Sequence, residues 1–270
     1  MIYSKLLGSL KKARVLCGMA GLALIASAAP AHAQVSTSQT TSNQLNQLLM
    51  TPTTNNKSSA GEWYATLFFR YLSFQNDFDQ FHYQAQGQYS FTDQLAAGLW
   101  IPVEHNNFGD SHTGFGDVTF YGQYKLDQLI SHDVVDLTAE ADVVLPTGTF
   151  SEGLESGRFG FRPKVLAYKE FDNVGPGNIG VYADIGFTIT THSDFRMDLA
   201  ATYEWQKIVG ILEFYDQAGD KMGSPQVYFT PGAAYRGLGP WEFALGVPIG
   251  MNDASADVGV SVKATYAFQR

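Results

Sequence analysis

The chain has 270 residues, 17 Lys and Arg against 26 Asp and Glu for a formal charge of −9, and 14% aromatic residues beside 16% charged ones. An acidic balance excludes nucleic acid from the expected partners. A single cysteine, Cys17, excludes a disulfide framework.

The first element is a leader. Lys5, Lys11, Lys12 and Arg14 precede an apolar run over 15–29, and Ala31-His32-Ala33 then offers small residues on either side of a cleavage position. This is the pattern of a secretory signal peptide, assigned to residues 1–33. The apolar run is shorter than the roughly 18 to 20 residues that span a bilayer. Cys17 lies within it, without the small residues that precede a lipid-modified cysteine, so the mature chain carries no thiol. Cleavage removes four of the 17 basic residues and none of the 26 acidic ones, taking the charge from −9 to −13. Residues 34–60 are rich in Ser, Thr, Asn and Gln and are expected to form a flexible periplasmic arm, with a helical turn or two at 43–50 around Leu45, Leu48 and Leu49. Its functional reading is a plug or a partner-docking peptide.

From Gly61 to the end the chain reads as one β domain, 61–270. Alternating runs fall at 61–74, 78–91, 94–105, 115–126, 134–146, 158–170, 178–192, 195–206, 207–216, 225–237, 241–250 and 257–268. The second is the clearest. Phe81, Tyr83, Ala85, Gly87, Tyr89 and Phe91 alternate with His82, Gln84, Gln86, Gln88 and Ser90, so one face is apolar and the other wet. In the fifth run Leu137, Ala139, Ala141 and Val143 oppose Asp136, Thr138, Glu140 and Asp142, and in the last Val258, Val260, Val262 and Ala264 oppose Ser261, Lys263 and Thr265. Beyond the leader no apolar run is long enough for a transmembrane helix. Aromatic-rich alternation without such a run predicts a twelve-stranded antiparallel β-barrel of the outer membrane, apolar side to lipid and polar side to the lumen. A soluble periplasmic barrel would need about eight strands and fewer aromatics.

Connections agree with that topology. Those at 91–94, 206–207 and 237–240 are short and belong to the periplasmic end; those at 105–114, 147–157, 216–224 and 250–257 are longer and form outer loops. The links 127–133 and 171–177 are long exceptions. Pro102, Pro146, Pro163, Pro231 and Pro248 all fall toward the outer rim, where a bulge or kink is tolerated.

Several segments then resemble a known family, the outer-membrane proteins called "putative MetA-pathway of phenol degradation". They are Gly114-Phe115-Gly116-Asp117 leading into Val118-Thr119-Phe120-Tyr121, then Val144-Leu145-Pro146-Thr147-Gly148, and Asn178-Ile179-Gly180-Val181-Tyr182 with Ile185-Gly186-Phe187. The resemblance implies a transport-like barrel in a Gram-negative outer membrane, with no catalytic residues and no cofactor. Phe268 stands near the end in place of the usual terminal aromatic, followed by Gln269 and Arg270, and outer-membrane assembly machinery is an expected partner alongside membrane lipid.

The lumen is where solute chemistry is sought. Candidate lining residues are Arg70, Gln84, Trp100, Asp117, Tyr121, Glu140, Asp142, Arg162, Tyr182 and Tyr228. Mixed signs predict ion pairs across strands rather than a charge filter, with Arg158, Arg162 and Lys164 set against Asp136, Glu140 and Asp142. The aromatics and the glutamine row offer a track for a small aromatic or hydrophobic compound moving passively. The other readings are a structural or adhesive barrel without transport and an outer-membrane lipid hydrolase using Ser111-His112 or His192-Ser193, neither of which has an evident third member. His105, Asp110 and His112 in an outer loop carry metal-ligating side chains, but solvation is their ordinary role and no metal site is assigned; weak divalent-cation binding by the acidic outer loops is the alternative.

Overall fold

The computed structural model describes residues 48–50, 59–75, 78–108, 110–126, 134–149, 159–189, 194–217 and 225–268. The assigned signal peptide, residues 34–47 and 51–58 of the arm, Arg158, and the pair His192-Ser193 lie outside the described residues.

Alternating sequence becomes strand throughout. In chain order these are β1 (Trp63–Ser73), β2 (Asp79–Ser90), β3 (Leu95–Phe108), β4 (Asp110–Phe115), β5 (Thr119–Lys125), β6 (Asp136–Val144), β7 (Gly160–Val174), β8 (Gly177–Thr188), β9 (Asp194–Trp205), β10 (Ile208–Gln217), β11 (Gln226–Leu238), β12 (Trp241–Gly246), β13 (Ile249–Gly250) and β14 (Val258–Phe268). Each wall strand pairs antiparallel with its neighbours in sequence. The last returns to the first, in register from Trp63 opposite Phe268 to Ser73 opposite Val258. β4 with β5 and β12 with β13 each make one interrupted wall strand, so the closed barrel has 12 strands. Closure leaves no unpaired edge, the condition for β-structure in a bilayer.

The two faces separate as the alternation requires. Leu67, Phe120, Val165, Ile185, Leu212 and Leu245 are exposed on the outside, while Thr66, Gln123, Glu140, Asp184, Glu213 and Lys263 are buried within. A continuous apolar exterior around a charged interior is the arrangement of a barrel solvated by lipid, and the protein is an outer-membrane barrel. At the short-turn end the wall carries an aromatic belt, with Trp63 4.7 Å from Tyr89 and Tyr89 4.9 Å from Phe91. The belt continues through Trp241, Tyr266 and Phe268, with ring separations of 4.9 and 4.4 Å. Such rings sit at the headgroup level. Near the middle of β1, Leu67 is 64% exposed. Replacing it with Arg is expected to destabilise the barrel by about 2–4 kcal/mol in lipid, as charges on the lipid face near the midplane do. Reversible denaturant titration in vesicles measures this, and Thr66→Ser on the opposite face serves as control.

Two expectations are corrected. The expected loop at 105–114 is a β-hairpin: β3 runs on to Phe108 and β4 pairs back along it, from Phe108 opposite Asp110 to Val103 opposite Phe115. Asn106, Asn107 and Ser111 break the apolar alternation, and a ladder rising beyond the hydrocarbon needs no apolar face. The long link at 171–177 is a tight turn, because β7 extends to Val174 and pairs with Gly177. Asn173 and Gly175 adopt positive φ of 58° and 67° there, and both residue types tolerate that region. Two of the prolines mark interruptions, whereas Pro163 and Pro231 stand opposite Ala141 and Leu212 in unbroken register. Pro248 lies in the break between β12 and β13, and at Pro102 the pairing of β3 passes from β5 to β4.

Candidate functional site in the barrel lumen

Inward positions of β1, β10 and β14 bring three charged groups to the middle of the barrel: Arg70, Glu213 and Lys263. Between them lie residues 48–50, expected in a periplasmic arm and found inside the wall. The backbone N–H groups of Leu49 and Met50 donate to the two Glu213 carboxylate oxygens, at 2.5 and 2.9 Å. Arg70 Nη1 donates to the Met50 carbonyl at 3.0 Å, and Lys263 Nζ donates to the Leu48 carbonyl. Phe68 lies under both cations, 5.9 Å from the guanidinium carbon and 5.3 Å from the ammonium.

Each side chain of the segment has its own apolar surroundings. Leu48 packs with Tyr168, Tyr182 and Ala200. Leu49 packs with Val209, Ile211, Ala234 and Ala244. Met50 packs with Leu72, Tyr215, Tyr228 and Ala256. Space for Leu49 comes from two glycines of the wall, since a Cβ on Gly232 or Gly246 would run into Leu49 Cδ1. Farther along, residues 59–61 are tied to the short-turn end, where Ala60 N–H meets Asp93 at 2.9 Å and Gly61 N–H meets the Ser90 carbonyl at 2.8 Å.

A second buried cluster spans β2 to β7. Lys164 Nζ forms ion pairs with Glu140 and, at 3.1 Å, with Asp142. Gln123 Nε2 donates to Glu140 at 2.6 Å. The Lys164 ammonium stands 5.0 Å from the Trp100 ring centre, and Trp100 lies 5.3 Å from Tyr121. The Tyr121 hydroxyl accepts from Gln86 at 2.8 Å and donates to Gln88 at 3.0 Å. Gly186 leaves room for Lys164, whose Cγ lies 2.5 Å from where a Cβ would stand. Arg236 bridges Glu204 at 3.0 Å and Glu242 at 2.6 Å in a third group.

Of the ten candidate residues, Trp100, Tyr121, Glu140 and Asp142 meet in the cluster around Lys164. Arg70, Tyr182 and Tyr228 meet residues 48–50. Gln84 lies on His82 at 3.2 Å, with His82 3.3 Å from Glu104. Arg162 is placed opposite Asp142 in the ladder and is half-buried. Asp117 has local work: it accepts from the Gly148 backbone at 2.8 Å, while Val118 N–H donates to Thr147 Oγ1 at 2.9 Å. Two of the segments that carry the family resemblance are thereby clamped together at the rim. Glu213 and Lys263 stand outside the ten lining candidates although alternation places both inward, whereas the pairing of Lys164 with Glu140 and Asp142 is the one expected. Also outside the ten are Leu48, Leu49 and Met50, whose signal is an apolar triplet inside a polar stretch. Ser111 and His112 are adjacent on β4 and face opposite ways, so they form no dyad with each other. His105 pairs with Thr113 and His112 with Asn106, which also puts the two histidines on opposite faces of the hairpin.

Residues 99–268 match the family described as "Putative MetA-pathway of phenol degradation". The fold is similar to that of the COG4313 outer membrane channel from Pseudomonas putida F1, at 12% identity and a TM-score of 0.59, over 78% of this chain and 97% of that one. The KdgM porin in complex with disordered oligogalacturonate aligns at 11% identity and a TM-score of 0.49, over 76% of this chain and 99% of that one. No curated protein sequence matches the chain.

Proposed function

The chain belongs to the family described as "Putative MetA-pathway of phenol degradation", and from that premise we propose that it is a channel for passive movement of a small compound across the outer membrane, closed in this structure by residues 48–50. The observation that carries the reading is how the centre of the lumen is filled. A barrel serving as a sealed scaffold would be filled by side chains of its own wall. Here, among the described residues, the space between Arg70, Glu213 and Lys263 is filled by three residues from outside the wall, 48–50, held by those side chains. Such filling can leave without breaking a rung of the ladder. The apolar and aromatic surfaces that would then line the path, with Tyr168 and Tyr182 4.5 Å apart and Tyr215 and Tyr228 6.4 Å apart, suit a hydrophobic or aromatic solute. The polar track past Trp100, Tyr121 and the glutamine row suits its polar end. The solute moves down its gradient, with no catalytic step. Lipid surrounds the wall, and the terminal strand ending at Phe268 is the part offered to the assembly machinery.

Reconstitution in planar bilayers tests this. The unmodified protein is expected to show small currents with brief larger openings, with weak ion selectivity because acids and bases are mixed along the lumen. Silence under all voltages, both in this protein and in variants with residues 48–50 displaced, would assign it to the structural class.

A further inference from the structure

Arg70, Glu213 and Lys263 hold residues 48–50 through backbone atoms alone. These three residues read two consecutive N–H groups and the carbonyls on either side of them, and leave the side chains to the apolar surroundings. Glu213 and Lys263 are 0% and 1% exposed. Charges that deeply placed favour an occupant that meets them with matching donors and acceptors. A ligand with the same order of donors and acceptors replaces like with like.

Resting on the channel reading above, the geometry points to short apolar peptides with a blocked amino end and a free C-terminal carboxylate as ligands of this lumen. The free carboxylate follows from Arg70. Among the described residues, its one hydrogen bond is to the neutral Met50 carbonyl, at 3.0 Å. A peptide ending at that position presents a carboxylate instead, which adds an opposite charge and a second acceptor oxygen to a guanidinium built to donate to both. Glu213 accepts from the N–H of the same residue at 2.9 Å and repels the new carboxylate, so the site favours such a peptide over the chain's own segment by the margin by which the Arg70 pairing exceeds that repulsion. The blocked amino end follows from Lys263. A free ammonium on the first residue would stand one peptide unit from the carbonyl that Lys263 grips, and like charges repel there. Apolar side chains follow from the clusters around Leu48, Leu49 and Met50.

The probes are N-acetyl-Leu-Leu-Met and its C-terminal amide, titrated by calorimetry into the full detergent-solubilised chain and added to bilayers during current recording. Leu49→Asp, which displaces the native segment, is compared with the unmodified protein. The acid is expected to bind about tenfold more tightly than the amide and to block current at correspondingly lower concentration. Arg70→Met erases that preference. Glu213→Gln weakens both probes about tenfold, as loss of a charged acceptor does. Equal binding of acid and amide, or no binding to a folded protein, overturns the inference. If Leu49→Asp does not fold, the unmodified chain decides the matter by the same acid-over-amide order at higher concentration. Peptide binding without any current would remove the channel reading and leave this one standing; current without peptide binding would do the reverse.

Discussion

Leu49→Asp is expected to hold the barrel open, raising the fraction of time spent in a high-conductance state by orders of magnitude. Leu49 is fully buried among Val209, Ile211, Ala234 and Ala244. Truncating a buried leucine costs about 2–5 kcal/mol. A carboxylate in the same place adds repulsion from Glu213, which its own backbone N–H contacts at 2.5 Å, together with a desolvation cost of several kcal/mol. Even about 4 kcal/mol shifts a closed-to-open ratio roughly a thousandfold. No rung of the wall is lost, because residue 49 makes no ladder pair. The variant should therefore fold and insert as the parent does, which retention of the compact, unheated gel band checks. Gly246→Leu approaches the same state from the other side, since a side chain there meets Leu49 Cδ1. Single-channel recording of both variants is the measurement. Two folded variants with the parent's conductance would mean that residues 48–50 do not close the path.

How much of this was legible in the sequence follows from which interactions are periodic. The wall was legible because a lipid-facing strand alternates strictly: Phe81 to Phe91 shows it alone, and the burial of Gln84, Gln86, Gln88 and Ser90 follows. The pairing of Lys164 with Glu140 and Asp142 was also legible, because antiparallel neighbours place those positions together. The hairpin of β3 and β4 was not, since above the hydrocarbon the backbone pairs without sorting its side chains by polarity. Least legible was the site itself. The apolar residues at 48–50 have no period, and their partners Arg70, Glu213 and Lys263 are remote in sequence, coming together only when β14 closes on β1. Alternation says that Glu213 and Lys263 point inward. It does not say that both will meet one peptide.

Lys164→Met should produce the largest loss of stability of any single change in the wall. The Lys164 ammonium lies between Glu140 and Asp142, with side chains 2% and 0% exposed. Removing the cation leaves two buried carboxylates facing each other, and breaking a buried pair in this way costs about 3–5 kcal/mol. The wall packing changes little, because methionine keeps most of the lysine stem. Combining Lys164→Met with Glu140→Gln and Asp142→Asn removes the orphaned charges as well, and should return stability to within about 1 kcal/mol of the parent. Denaturant titration in vesicles checks both values. Quenching at Trp100, 5.0 Å from the ammonium, provides a local readout that a general loosening would not reproduce. The single variant should also conduct differently once residues 48–50 are displaced. With Lys164 gone the wall carries uncompensated negative charge, so the opened channel shifts toward cations, while the triple variant stays near the parent's weak selectivity. Stability and selectivity should thus move together in one variant and recover together in the other, as expected if a single buried ion pair both braces the wall and neutralises the path.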